Sequence, residues 1–229
     1  IPTRVANATL ADGKQRAHTL DPLTPLQAQS VNLTGVAEPD RLRGGFVTSD
    51  FFLIAGTTPA LGRTLSKVDD REGAPAGAIL DHRTWKSRFG GDPSVLGRSL
   101  SLNNTPVTVV GVMPEGFRFP FDDIEVWLPI LQFTGGLSRD QRSVFAVGRL
   151  GPGASLADAQ SELGAIAAQL TREHPGPNAG RGVRVEPFHA WLTSGIDRPL
   201  GVVFALVLVL LAIAGANVAC LQVRTAAGP

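Results

Sequence analysis

No tyrosine and only one cysteine occur among the 229 residues. A single thiol, Cys220, excludes a disulfide framework and any zinc site built from two thiolates of one chain. Charge of one sign is equally scarce. Twenty-one Lys and Arg face twenty Asp and Glu, a net charge of +1, so the clustered basic excess that nucleic acid demands is absent and no nucleic-acid partner is expected. Only 18% of residues are charged, whereas 43% are hydrophobic. That balance supports a sizeable core and argues against a wholly disordered chain.

Catalytic signatures are missing too. No G-x-x-x-x-G-K-[ST] run offers backbone amides and a lysine to phosphates, so no ATPase is legible on the chain itself. Neither a G-x-S-x-G elbow nor an H-E-x-x-H helix occurs. His18, His82, His174 and His189 stand too far apart for short ligand spacing and read as surface or helix-end residues. Two acidic clusters, Asp69-Asp70-Glu72 and Asp122-Asp123-Glu125, lack the spacing of a Ca²⁺ loop and read better as solvated loops. The pair Asp81-His82 reads as a helix cap rather than a catalytic couple. No catalytic residue, cofactor or metal is therefore expected, and the chain is not expected to be an enzyme.

What the sequence does contain is one long apolar run. From Pro199 to Val223 there is no charged residue, and Gly201–Gly215 is almost pure hydrocarbon. A bilayer-crossing helix needs roughly 20 such residues, and buried core helices are usually shorter and keep a polar edge. A transmembrane helix is expected over 200–223, Pro199 suiting its first turn, with Cys220 a small apolar residue inside it. The run lies at the wrong end for a signal peptide. The chain opens Ile1-Pro2-Thr3 without initiator Met, signal or first hydrophobic span, which favours a piece of something longer over a processed product.

Between these ends, short strands and helices alternate with Gly and Pro punctuation. Residues 1–30 carry turn signals at Asp12-Gly13 and Asp21-Pro22 but no assignable element. Strands are expected at 43–48, 77–80, 98–103, 105–112, 126–130, 144–150 and 183–188. Asn103-Asn104 tolerates the positive φ of a tight hairpin, and Met113–Gly116 breaks the strand that follows. Ser49 is placed to cap a short helix that Gly56 ends. Asp81 is placed to cap a helix over 82–89, ended by Gly90-Gly91. Ser155 and Asp158 resemble a capping box opening the one long soluble helix. Its apolar stripe is Leu156, Ala159, Leu163, Ile166 and Leu170, and His174-Pro175-Gly176 ends it. Phe117, Phe119, Pro120 and Phe121 read as a loop folding back onto the core, with a partner-docking or lipid-facing tip as the alternative. The fold class is α+β: a domain of short strands and helices, then one C-terminal membrane helix.

Six stretches together resemble a known family: Arg41–Phe52, Pro59–Thr64, Trp85–Arg98, Leu102–Pro114 with Gly116–Pro120, Val147–Leu156, and Ala216–Ala219. They are similar to the extracytoplasmic core domain of MacB/FtsX-type ABC transporter permeases, above all the orphan permeases of acidobacteria that carry no ATPase on their own chain. The likeness runs over about residues 30–227. Two departures stand out. Asn104 replaces the usual hairpin Gly, and Cys220 replaces the second Asn of the family's Ala-Asn-Val-Ala-Asn-Leu.

The resemblance implies residues 31–192 as a periplasmic core domain, 193–199 as a linker, 200–223 as the membrane helix and 224–229 as the start of a cytoplasmic segment. Arg224 just beyond the span agrees with the positive-inside rule. It further implies the bacterial inner membrane, a homodimer, a cytoplasmic ABC ATPase on a separate chain and a periplasmic adaptor or effector. The role implied is coupling of ATP hydrolysis to export or mechanical signalling. Gly215 and Asn217 would then pack against neighbouring membrane helices, the small residue permitting close approach and the amide needing a partner in lipid. The contrasting expectation is a single-span anchored binding or sensor module without an ATPase. A membrane-anchored hydrolase is the weakest of the three.

Overall fold

The computed structural model describes residues 16–34, 40–71, 73–133, 145–173 and 183–193. The chain forms two compact units, residues 2–185 and residues 186–229 with Ile1. In the second unit, the described element is a short helix, Phe188–Thr193. The first is built on strands β1 (Leu20–Thr34), β2 (Asp40–Val47), β3 (Leu61–Gly62), β4 (Ala76–Leu80), β5 (Ser99–Leu102), β6 (Thr105–Val112), β7 (Val126–Pro129) and β8 (Phe145–Leu150). Its helices are α1 (Asp50–Ala55), α2 (His82–Phe89), α3 (Ile130–Phe133) and α4 (Leu156–Glu173). This is the expected α+β architecture.

The strand pairings close on themselves. β2 pairs in turn with β7, then β4, β6, β5 and β1, and β1 returns to β2. The return is long, an antiparallel register from Leu26↔Val47 to Leu33↔Asp40. The β1–β5 seam is short, at Leu33↔Leu102 and Thr34↔Ser101. Asn103 reinforces it, because its Oδ1 accepts from Asn32 N at 2.9 Å and its own N–H donates to Asn32 O at 2.9 Å. The hairpin that positions Asn103 has positive φ at both Asn103 and Asn104, 50° and 64°, as a two-residue turn of this hand requires.

Strand side chains alternate faces, and alternate residues from all the ring strands meet in one cluster. Val31 and Leu33 of β1, Leu42 and Phe46 of β2, and Ala78 and Leu80 of β4 join Leu100, Leu102, Val107, Val109, Val126 and Leu128. These line the inside of the ring. The opposite face of β2, β4 and β7 presents Val47, Ile79 and Trp127 to Phe51 and Phe52 of α1. A third, smaller cluster joins Leu20 and Leu23 of β1 to Ala159 and Leu163 of α4 and to Val185.

β1 falls largely in the stretch the sequence pattern leaves unassigned. Pro22 and Pro25 interrupt its alternation, and the structure absorbs Pro22 where the register to β8 shifts between Leu20 and Leu23, the kind of place a strand tolerates proline. β1 is shared along its length: Leu20–Leu26 pairs with β8 and Leu26–Leu33 with β2.

The strand expected over 126–130 is present as Val126–Pro129, after which the chain turns into α3, whose Phe133 ring lies 5.5 Å from Phe46. One expectation is corrected: no strand runs over 183–188, where residues 183–187 are irregular and Phe188 opens a helix. The alternating Val183 and Val185 find a side chain instead of a strand. Gln160 of α4 donates to Val183 O and accepts from Val185 N, both at 2.8 Å, so its amide stands in for a backbone neighbour.

Glycines set how closely the layers approach. A Cβ at Gly45 would lie 2.5 and 2.6 Å from carbons of the Trp127 ring, and one at Gly111 would lie 2.2 Å from Arg63 O. Both belong to the stretches that carry the family resemblance. Gly45→Ala is expected to displace Trp127 and cost about 2 kcal/mol, as core overpacking does. Urea unfolding followed by tryptophan fluorescence measures it, and an unchanged midpoint would show that the ring has room to yield.

Candidate functional site

Trp127 is the centre of the outer face. Its ring stacks on Phe51 at 4.8 Å and 27°, and Phe119 also stacks on Phe51 at 5.5 Å. Phe52 and Phe117 meet Trp127 edge-on at 6.3 and 5.9 Å, an arrangement that suits the quadrupoles of the rings. The aromatic loop after β6 thus folds back onto the core, as its sequence suggests. It leaves beside it an open groove of about 360 Å³, walled by Ile54, Ala55 and Thr57 on one side and by Pro114–Phe119 on the other. Arg149 of β8 holds the α1 wall in place by donating to Leu53 O and Ile54 O at 3.2 and 2.8 Å. Leu53, next to the groove, is 64% exposed. Glu115 and Arg118 are among its lining residues, and no nucleophile with a neighbouring base stands in it.

The carboxylates are structural. Asp69 is buried at 5% exposure, which corrects the solvated-loop reading at this residue. It accepts from Arg63 Nη1 and Nη2 at 2.6 and 3.1 Å and from Ser66 N and Oγ at 2.7 and 2.6 Å. Burial pushes its carboxyl up, but the hydrogen bonds from Arg63 and Ser66 outweigh burial and hold it below the usual carboxylate range. Asp70 accepts from Ser49 N at 2.9 Å and from Ser49 Oγ at 2.6 Å. That engagement is why Ser49 makes no side-chain cap to α1, contrary to expectation. Asp50 pairs with Lys67. Gln132 completes the arrangement by donating to Asp69 O at 2.9 Å and Ala74 O at 3.1 Å. The loop 63–71 is therefore pinned to α1 and α3.

Other placements follow the sequence closely. Asp81 caps α2 by accepting from Arg83 N at 3.0 Å, and Gly56 and Gly90 end α1 and α2 in the left-handed conformation. Ser155 and Asp158 form the reciprocal box, Ser155 N donating to Asp158 at 2.9 Å and Asp158 N to Ser155 Oγ at 3.1 Å. In the second acidic cluster, Asp123 pairs with Arg43 at 3.2 Å, and Glu125 accepts from Arg43 N at 2.8 Å and Arg88 at 3.2 Å. His82 packs edge-on against Trp85.

Sequence reasoning misses a further cluster because its members are distant in sequence. Glu162 of α4 accepts from His18 N at 2.9 Å, from Thr19 N at 2.8 Å and from the Thr19 hydroxyl. The hydroxyl first, then the amides, hold its carboxyl below the usual range. Arg16 and Glu173 form a two-pronged pair at 3.1 and 3.0 Å. The only hint in the sequence is that Glu162 and Glu173 share a helix facing an unassigned segment.

Gly215 and Asn217, the residues expected to pack between membrane helices, lie outside the described residues, as do His174–Gly176 and the whole expected span 200–223. Among the described residues no helix is long and apolar enough to cross a membrane, and no group of three or more His, Cys, Asp or Glu could hold a metal ion.

The chain belongs to the MacB-like periplasmic core domain family, whose model matches residues 4–166. Among curated relatives, it is 29% identical over 160 residues to the macrolide export ATP-binding/permease protein MacB of Chromobacterium violaceum, covering 69% of this chain and 24% of that protein. It is 32% identical over 94 residues to the probable syringafactin export ATP-binding/permease protein SyfD of Pseudomonas syringae, covering 40% of this chain and 14% of that one. The chain thus spans a quarter or less of either relative's length.

Solved structures share the fold. The periplasmic region of MacB from Actinobacillus actinomycetemcomitans matches with TM-score 0.62 and 16% identity, covering 83% of each chain. The extracellular domain of the noncanonic ABC-type transporter YknZ from Gram-positive bacteria matches with TM-score 0.61 and 17% identity, covering 82% of this chain and 91% of that one. By name, both curated relatives are export ATP-binding/permease proteins.

Because the folded-state pKa of Asp69 is depressed, its contribution to stability is complete above the unfolded carboxylate value near 4 and is lost as pH falls through the folded value. Asp69→Asn is expected to lower stability at pH 7 and to flatten the acid limb of the stability curve below about pH 4. Urea midpoints measured from pH 7 down to pH 2.5 test this, and parallel wild-type and variant curves would contradict it.

Proposed function

We propose that this chain is the outer core domain and following membrane helix of an ABC transporter permease. It couples ATP hydrolysis by a separate cytoplasmic ATPase to export or mechanical signalling across the bacterial inner membrane. The observation that carries the reading is the family match over residues 4–166, joined to the charge-free run Pro199–Val223 that follows it. In this reading residues 31–192 are the core domain, 193–199 the linker and 200–223 the membrane helix. Residues 1–199 lie on the periplasmic side and the tail after Arg224 in the cytoplasm. Two copies work together, and a periplasmic adaptor or effector meets the outer domain. Both curated relatives are export proteins by name, which favours export over signalling. The groove beside Phe117 and Phe119 suits contact with an apolar partner surface and gives no sign of bond-making chemistry.

Gly215 and Asn217 sit near the cytoplasmic end of the proposed span. Asn217→Leu is expected to weaken helix association by about 1 kcal/mol, the scale of one interhelical hydrogen bond in lipid. Unchanged assembly in membranes would remove the packing role. The reading as a whole is tested by isolating the permease that contains this domain from membranes with its candidate ABC ATPase. Co-purification with an altered ATPase rate is expected. Failure of any ATPase to associate would favour an anchored sensor module.

A further inference from the structure

We infer that Gln160 of α4 fixes the point at which the chain leaves the first unit, and that movement of the following segment enters that unit there. The first unit ends at Val185 and the second begins at Glu186. Gln160 engages the last residues before that boundary. Its Nε2 donates to Val183 O and its Oε1 accepts from Val185 N, both at 2.8 Å. These are the C=O before Arg184 and the N–H after it, the two groups that one residue of a neighbouring strand engages in a parallel ladder. A single planar amide supplies both a donor and an acceptor. It therefore fixes the facing of this peptide run as well as its position, which one hydrogen bond alone would not do.

The ground behind this clamp is firm. Ala159, next to Gln160, is fully buried and packs with Leu20 and Leu23 of β1, and Leu163 and Val185 join the same cluster. The Ser155–Asp158 box closes the turn of α4 just ahead of Gln160, and Ile166 and Leu170 are buried further along the helix. Close-packed groups of this kind transmit strain. Displacement of residues 183–185 thus bears on α4 and, through Ala159 and Leu163, on β1, which pairs with β2, β5 and β8. The relay rests on the coupling role proposed above, whereas the attachment concerns residues 2–185 alone.

Hydrogen exchange by mass spectrometry on the full 229-residue chain in detergent tests the attachment. Gln160→Leu keeps the bulk and the helix propensity but removes both bonds. Peptides reporting the Val185 amide should then exchange about tenfold faster, while peptides covering 107–110 and 126–128 keep the wild-type rate. Unchanged exchange at Val185, or acceleration of every peptide together, would overturn the attachment. Gln160→Glu adds a signature that bulk alone does not produce. At neutral pH its ionised carboxyl sets an oxygen against Val183 O, and exchange should rise as in Gln160→Leu. At about pH 4 the carboxyl takes up its proton, the new O–H donates again, and exchange relative to wild type should fall back. His18, Asp21, Asp158, Glu162, Arg184 and Glu186, the ionisable groups near the clamp on the same elements, are common to both chains and cancel in that ratio. A ratio independent of pH would overturn the two-bond clamp.

The relay is tested in the permease that contains this domain, reconstituted with its candidate ABC ATPase. ATP should change the exchange of peptides covering 20–23 and 156–163 in wild type, and Gln160→Leu should reduce that change severalfold with the ATPase rate retained. An equal ATP response in variant and wild type would overturn the relay. Failure of any ATPase to associate would overturn the coupling role itself and leave the attachment standing on the first measurement.

Discussion

Everything in the first unit hangs on β1, one continuous strand required to satisfy two different neighbourhoods. From Leu26 to Leu33 it is a stave of the ring, paired with β2 and closed against β5. From Leu20 to Leu26 it belongs to β8. Among the described residues no other strand pairs with β2, β5 and β8. If its register slipped by one residue, Val31 and Leu33 would leave the ring interior and Leu26 would leave the aromatic layer, since successive side chains face opposite ways. The hairpin asparagine at the short seam and the bulge near Pro22 are the two devices that fix this register from either end.

The sequence announces some of this and hides the rest for physical reasons. Local devices are legible, because their signal sits within a few residues: the Asn103-Asn104 turn, the Asp81 cap, the Ser155–Asp158 box and the left-handed glycines at 56 and 90 all occur where their chemistry asks for them. β1 itself is hidden because its partners lie far along the chain and its two prolines break the alternation that would reveal it. Ser49 misleads in an instructive way. A serine before a helix offers its hydroxyl to the helix end, but a carboxylate that folding brings beside it, Asp70, is the stronger acceptor. Val183–Val185 misleads for the converse reason, having strand character but only a glutamine amide for a neighbour.

The same distinction governs the functional residues. The acidic clusters look like loop decoration in sequence, yet Asp69 and Asp70 fasten loop 63–71 to the rest of the domain. Their partners, Arg63, Ser66 and Ser49, are ordinary residues whose importance only geometry discloses. The aromatic loop after β6 is the opposite case: its closely spaced apolar residues state their own purpose, and the structure packs its three phenylalanines against the cluster that holds Trp127. The repeated glycines of the family-like stretches belong to this legible group once their neighbours are known, Gly45 under the Trp127 ring and Gly111 under the Arg63 carbonyl. What these features build is a stiff outer body, with charged side chains spent on holding loops in place.

The shared strand has a consequence for how the protein is made. β1 leaves the ribosome before every strand it pairs with, yet Leu26 must wait for Val47, then Leu33 for Leu102, and finally the first half for β8. Non-local pairing of this kind is slow and leaves strand edges open while synthesis continues. During that interval the nascent chain carries a strand with one finished side and one bare side. The two prolines in its early half then gain a second meaning, because a segment that cannot offer a full row of N–H donors is a poor template for pairing with another unfinished chain.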